Sequence, residues 1–214
     1  MFKNNVAGLS KNGNVLLIRN DVNPYLFHVI HNDNTPIWSK IDNILLDDFD
    51  DISRLKTNIN INDIGDRIII SYPNKYKKYK TVFYMKIGVK YIKSDISYID
   101  LTKCNIKGVD ISTDSTMERI AITTITNNHS EITSNIAFYR LASSIWVIER
   151  IVDINEKEIL DIKSTLSEDA SKFLLTITYK DSKDSETYSA IYLFIRSYNT
   201  WTELRSSEIS HYIS

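Results

Sequence analysis

The sequence predicts an all-β chain assembled from four copies of one four-stranded unit, and three observations carry that prediction. Short apolar runs bounded by turn residues recur at a near-constant spacing. β-branched and aromatic residues fill those runs, as they do in strands. No long stretch repeats apolar residues at i, i+3, i+4 and i+7, the spacing of an amphipathic helix. The best local candidate for a helical turn, Leu45 to Ile52, is short.

The repeat is clearest in what reads as the second strand of each unit. Gly13–Ile18, Gly65–Ile70, Met117–Ile122 and Ser171–Thr176 align at offsets of 52, 52 and 54 residues. A strand-like piece and a polar turn precede each of them. The pieces are Val6–Ser10, Thr57–Ile61, Gly108–Ser112 and Ile162–Ser167. The turns are Lys11-Asn12, Asn62-Asp63, Thr113-Asp114-Ser115 and Glu168-Asp169-Ala170. Asn and Asp stand there where Gly is often found, because they tolerate left-handed backbone better than other side chains.

A variable polar loop and a third strand follow in each unit. These strands are Tyr25–Ile30, Thr81–Lys86, Asn135–Arg140 and Ala190–Ile195. A fourth strand then brings an aromatic residue at an equivalent place. The four are Trp38, Tyr91, Trp146 and Trp201, at offsets of 53, 55 and 55. The second and third strands are nearly continuous apolar runs, which suit strands covered on both faces. Four strands in each of four units is the pattern of β-propeller blades, whose inner strands lie between neighbouring blades. The chain therefore reads as one domain over 1–214, with blades at about 5–56, 57–106, 107–159 and 160–214. The alternative is a β-sandwich, which also uses many short strands but spaces them irregularly. Four blades close tightly, so closure alone and closure as an eight-bladed dimer are both expected variants.

The third unit carries the repeat most fully, as VDISTDSTMERIAITTI, then IAFYRL, then IWVIERI. This resembles the generic repeats of bacterial, viral and integrin-like propellers. The resemblance runs from about Val6 to Ile209 and implies an architecture rather than a family, so no family's active site is carried over. The chain departs from the special forms of that repeat. It lacks the Asp-x-Asp-x-Asp-Gly calcium loop, the Ser-x-Asp-x-Gly-x-x-Trp box and the Trp-Asp dipeptide.

Composition narrows the function. Of 214 residues, 43% are hydrophobic and 25% charged, ordinary for a globular protein with a buried core. A formal net charge of −1 gives no global attraction to nucleic acid or an anionic membrane. No apolar stretch reaches the ~18–20 residues that span a bilayer, so no membrane insertion is expected. The opening MFKNNVAGLSKNGN has no apolar core of a secretory signal, and a cytoplasmic or assembly-bound location is the expectation. Ile makes up about a sixth of the chain while Gly and Pro are scarce, a bias shared with many AT-rich phages and viruses.

Chemistry-bearing residues are scattered. Cys104 is the only cysteine and reads as a packed thiol. His28 and His31 stand three apart in a strand, so they face opposite ways, and His129 and His211 are remote. No metal site, cofactor or catalytic constellation is expected. The acidic run Asp47-Asp48-Phe49-Asp50-Asp51 reads as a solvated loop between blades.

Two sets of residues are candidates for binding. Lys75, Tyr76, Lys77, Lys78 and Tyr79 interleave cations with aromatics, a pattern suited to an acidic surface or to stacked bases. The repeated Trp38, Tyr91, Trp146 and Trp201 fill the wedge between blades or, if exposed, stack on sugars. The functional expectation is a non-enzymatic protein–protein interaction or structural module, in a virion, tail or other assembly, acting through a protein partner or self-association. A carbohydrate-binding propeller is the alternative, and nucleic acid is not expected.

Overall fold

The structure, a computed structural model, describes residues 7–20, 23–32, 35–43, 46, 57–76, 78–100, 105–128, 131–154, 159–180, 186–198 and 200–205. Among these residues, sixteen strands form four antiparallel sheets. The first sheet holds β1 (Ala7–Leu9), β2 (Val15–Asn20), β3 (Asn23–Asn32) and β4 (Thr35–Asn43). The second holds β5 (Asn58–Ile61), β6 (Arg67–Asn74), β7 (Lys78–Ile87) and β8 (Lys90–Asp100). The third holds β9 (Asn105–Thr113), β10 (Arg119–Asn128), β11 (Glu131–Ala142) and β12 (Ile145–Ile154). The fourth holds β13 (Ile159–Leu166), β14 (Lys172–Lys180), β15 (Thr187–Ser197) and β16 (Thr200–Arg205). Every sheet pairs its strands in chain order. Four separate meanders of this kind set aside the two-sheet sandwich.

One turn recurs between the first two strands of each sheet. A polar residue, Ser10, Asn62, Asp114 or Ser167, closes it with its own N–H on the carbonyl five residues on. Its side-chain oxygen accepts the N–H at the same place, from Val15, Arg67, Arg119 and Lys172 respectively. Three residues after the cap, the chain turns left-handed at Gly13, Gly65, Met117 and Ala170, with φ of 72°, 79°, 53° and 54°. Two of these carry a side chain at a conformation that favours Gly, so packing must stabilise them. Met117 and Ala170 are fully buried.

The chain divides into two compact units, 1–102 and 103–214. In the first, Val15 and Leu17 of the first sheet pack with Ile68, Ile70, Tyr72, Val82 and Tyr84 of the second. The sheets approach so closely that a Cβ on Gly65 would lie 2.2 Å from Val15 Cγ2. In the second unit, Ala121, Ile125, Ile136, Phe138 and Ile154 of the third sheet meet Phe173, Leu175, Ile177, Phe194 and Trp201 of the fourth. The first strands of these two sheets are also joined, because Asp110 Oδ2 accepts the Ser164 hydroxyl at 2.7 Å.

Burial on both faces, expected of the inner strands, holds for β6, where seven consecutive residues from Ile68 to Asn74 are buried. It holds again for β10 from Ile120 to Thr126. It fails for β14. There Phe173, Leu175 and Ile177 are buried, while Leu174 between them is 42% exposed.

Candidate functional site

The repeated aromatics occupy one register position. Trp38 pairs with Val29, Tyr91 with Lys86, Trp146 with Leu141 and Trp201 with Arg196. The last three partners each donate their backbone N–H to the residue that leads into the second strand, Asp66, Glu118 or Ser171. The spacing therefore marked true structural equivalents. Their surroundings differ.

Trp201 is 1% exposed. Its ring stacks on Phe138 of the third sheet, with centroids 4.3 Å apart and planes within 16°. Phe138 also meets Phe173 edge-on at 5.1 Å. Trp201 Nε1 donates to Glu149 Oε2 at 3.0 Å. Its carbonyl accepts from Arg150. An indole held this way fills the wedge between two sheets and presents no face to a sugar. Tyr91 is half-buried against the core of its unit and donates its hydroxyl to the Gly65 carbonyl. Burial and the nearby Asp66 carboxylate push its pKa from 10.0 up to about 12. Trp146 is half-buried on β12. The Trp38 side chain lies outside the described residues, as do the side chains of His28 and His31. His129, His211, Cys104 and the acidic run 47–51 lie outside them altogether.

Glu149 is the residue sequence reasoning missed. Phe138 pairs with Arg150 and Tyr139 with Ile148, so Glu149 is the extra residue of a β-bulge. The bulge turns its side chain into the seam, where 5% of it is exposed. Arg140 Nε lies 3.2 Å from its Oε1 and Arg119 Nε 3.7 Å from the same oxygen. Two half-exposed guanidinium groups and one indole N–H thus compensate one buried carboxylate, as burial of a charge requires. The available signal was a single acid inside the apolar run Ile145-Trp146-Val147-Ile148-Glu149. This cluster does structural work, tying the edge of the third sheet to the fourth.

The basic hairpin joins β6 to β7. Asn74 Oδ1 accepts the N–H groups of Tyr76 and Lys78 and so fixes the turn. Tyr76 is 60% exposed with Lys75 Nζ over its ring at 5.1 Å. Tyr79 points the other way, is buried, and accepts from Asn58 at 3.3 Å. Lys78 is half-buried, and Lys77 lies outside the described residues. The hairpin brings Lys75 and Tyr76 together at the surface and assigns Tyr79 to the core.

A surface that no sequence motif announced lies on β12, the outermost strand of the third sheet. Ile145 and Val147, 67% and 42% exposed, lie on one face of that strand, and Ile148 and Ile151, 51% and 57% exposed, on the other, so apolar side chains flank its edge from both sides. Among the described residues, no three His, Cys, Asp or Glu side chains gather as metal ligands. None of the helices that would cross a membrane is present among them either.

The four separate meanders match solved structures. The chain is similar to a protein from Lactobacillus plantarum, with a TM-score of 0.56, 7% identity and coverage of 94% of this chain and 53% of that one. It is similar to the β-propeller domain of the trilobed protease from Pyrococcus furiosus, with a TM-score of 0.51, 9% identity and coverage of 95% and 58%. These are four blades of a β-propeller. The chain is also similar to a hypothetical selenium-binding protein from Sulfolobus tokodaii, with a TM-score of 0.55, 13% identity and coverage of 92% of this chain and 45% of that one. At such identities the likeness concerns the fold alone. The chain spans about half the length of these structures. No protein-family model matches the propeller, and no curated protein does.

Proposed function

We propose that this propeller is a non-enzymatic protein-binding module of a larger assembly, and that its partner docks along β12. The observation that supports this reading is the exposure of Ile145, Val147, Ile148 and Ile151 on one edge strand. An edge strand offers unpaired backbone N–H and C=O groups, and most proteins blunt such edges with charge. The outermost strand of the second sheet does so with Lys90, Lys93 and Asp95. β12 exposes Arg150 and Asp153 too, but beside them stand four exposed aliphatic side chains, against one, Ile92, among the described side chains of that other strand. Apolar surface beside a free strand edge suits an added strand from a partner, with backbone bonds for affinity and side chains for specificity.

The test is purification of the tagged chain from its native source, beside an Ile148→Lys/Ile151→Lys variant. A stoichiometric protein that accompanies the wild type and is lost from the folded variant supports docking at β12. Equal recovery with both chains, or no partner with either, removes the reading.

A further inference from the structure

Two arginines stand directly opposite each other in the third sheet, Arg119 on β10 and Arg140 on β11. Like charges at paired positions repel, so such a pair needs a compensating group. Glu149 is that group. Both arginines turn a buried Nε to its Oε1, at 3.7 and 3.2 Å. Its other oxygen is taken by the Trp201 indole. Arg150 brings a third guanidinium to the same seam, on the Trp201 carbonyl.

The surrounding groups leave this seam short of negative charge. Asp114 is committed to the turn, where it takes the N–H groups of Glu118 and Arg119 and the Thr116 hydroxyl. Glu118 precedes Arg119, and Asp153 pairs with Asn135, which puts both on the opposite face of the third sheet. From the fourth sheet, Arg196 and Glu203 share the face of Phe194 and Trp201 and offset one another.

The outer ends of the two arginines are open. Among the described residues, neither gives its Nη groups to a protein acceptor. The side chains are 22% and 36% exposed, so they are recessed but reached by solvent. A carboxylate has two oxygens and is filled by one guanidinium fork. A phosphate monoester offers three oxygens and carries about −1.5 to −2 charge at neutral pH, so it can take two forks side by side. Recession strengthens that contact, because water screens it less than on an open surface. The same face then turns apolar. Val147 pairs with Arg140, and Ile145 lies two residues along β12, both exposed.

We propose that the Arg119–Arg140 pair binds a small phosphate monoester, whose organic body lies against Val147 and Ile145. The inner ends of the arginines hold Glu149, and the outer ends hold the ligand. The site lies on the face of β12 opposite Ile148 and Ile151 and does not depend on a partner docking at that edge.

The experiment is calorimetric titration of the full chain at neutral pH and low salt with phenyl phosphate, inorganic phosphate and benzoate. Phenyl phosphate is expected to bind one to one, inorganic phosphate more weakly and benzoate most weakly. Arg140→Lys keeps the charge beside Glu149 and loses the fork, so binding of both phosphates should weaken by about tenfold. Arg119→Gln should weaken it at least as much. Lys172→Gln removes a charge from the far face of the fourth sheet and should leave binding unchanged. Val147→Ser should bring phenyl phosphate towards inorganic phosphate and leave the latter unmoved. The near-ultraviolet signal of the Trp201–Phe138 stack reports that the seam is folded. If Arg119→Gln disturbs it, Arg140→Lys decides. Absence of saturable binding by either phosphate overturns the proposal. So does binding that keeps its full strength in Arg140→Lys, or that falls as far in Lys172→Gln. Benzoate binding as tightly as phenyl phosphate overturns the choice of a tetrahedral anion, and an unchanged preference in Val147→Ser overturns the place of the organic body.

Discussion

Trp201 and Phe138 belong to neighbouring blades and lie face to face, 4.3 Å between centroids, with the indole N–H reaching past the stack to Glu149. One side chain therefore supplies both the apolar wedge and the donor for a buried carboxylate. Trp201→Ala removes both and is expected to cost about 3–5 kcal/mol, the range for deleting a buried aromatic. Trp201→Phe keeps the stack and leaves Glu149 short of a donor, a cost of about 1–3 kcal/mol. Glu149→Gln leaves Arg119 and Arg140 without their shared counter-charge. In a double-mutant cycle by chemical denaturation, Trp201→Phe and Glu149→Gln are expected to couple by about 1 kcal/mol. Additive effects would show that the charge of Glu149 adds nothing to this hydrogen bond, since Gln still offers an acceptor oxygen.

The repeat was legible because blades are local. Each is four consecutive strands, and strand chemistry and turn chemistry are written in neighbouring residues. The position of the aromatics was legible for the same reason, since it is a register position within one hairpin. Their fates were not. Whether an indole is buried depends on what the adjacent blade puts opposite it, and only Trp201 has Phe138. The basic hairpin makes the same point, because Tyr76 and Tyr79 look alike in sequence and lie on opposite sides of the burial boundary. Glu149 was hidden because a bulge shifts the alternation by one, which moves a residue from one face to the other. The left-handed turns at Met117 and Ala170 were hidden because neither residue advertises that conformation.

The turn before β14 makes stability depend on acid. Asp169 Oδ1 accepts the Ser167 hydroxyl at 2.6 Å, the Ser171 N–H at 2.9 Å and the Ser171 hydroxyl at 2.8 Å. These donors favour the ionised carboxylate and hold its pKa far below the usual 3.8. A depressed folded value means the contribution is present above the unfolded pKa and is lost as pH falls through the folded one. The melting-temperature gap between wild type and Asp169→Asn should thus be constant from neutral pH down to about the ordinary carboxylate range, then narrow in stronger acid. A gap that widens in acid would contradict the assignment.

Tyr91 is expected to act at the other end of the pH scale. Its raised pKa means the neutral phenol, which donates to Gly65, is the form the folded chain prefers. The contribution is complete below pH 10 and is lost as pH rises through about 12. Tyr91→Phe should lower stability by about 1 kcal/mol at neutral pH, the value of one hydrogen bond. The difference in phenolate absorbance between the two proteins during an alkaline titration should show one tyrosine ionising late. A group that ionises at the ordinary value would contradict the bond.

Gly13 and Gly65 hold the same place in the same turn, yet substitution should treat them very differently. Both have a positive φ, 72° and 79°, so Ala at either pays the left-handed strain of about 1–2 kcal/mol. A Cβ at Gly13 meets nothing within 4 Å, and strain is the whole effect. A Cβ at Gly65 lies 2.2 Å from Val15 Cγ2 and 2.6 Å from Val15 Cβ, so the first blade must move away from the second. Overpacking of this kind adds about 1–3 kcal/mol. Gly65→Ala is therefore expected to destabilise the chain by about 2–5 kcal/mol against about 1–2 kcal/mol for Gly13→Ala. Val15→Ala relieves the Cγ2 contact, so adding it to Gly65→Ala should cost less than it does in the wild type. Equal losses at the two glycines would mean that the blades are not packed this closely at Gly65.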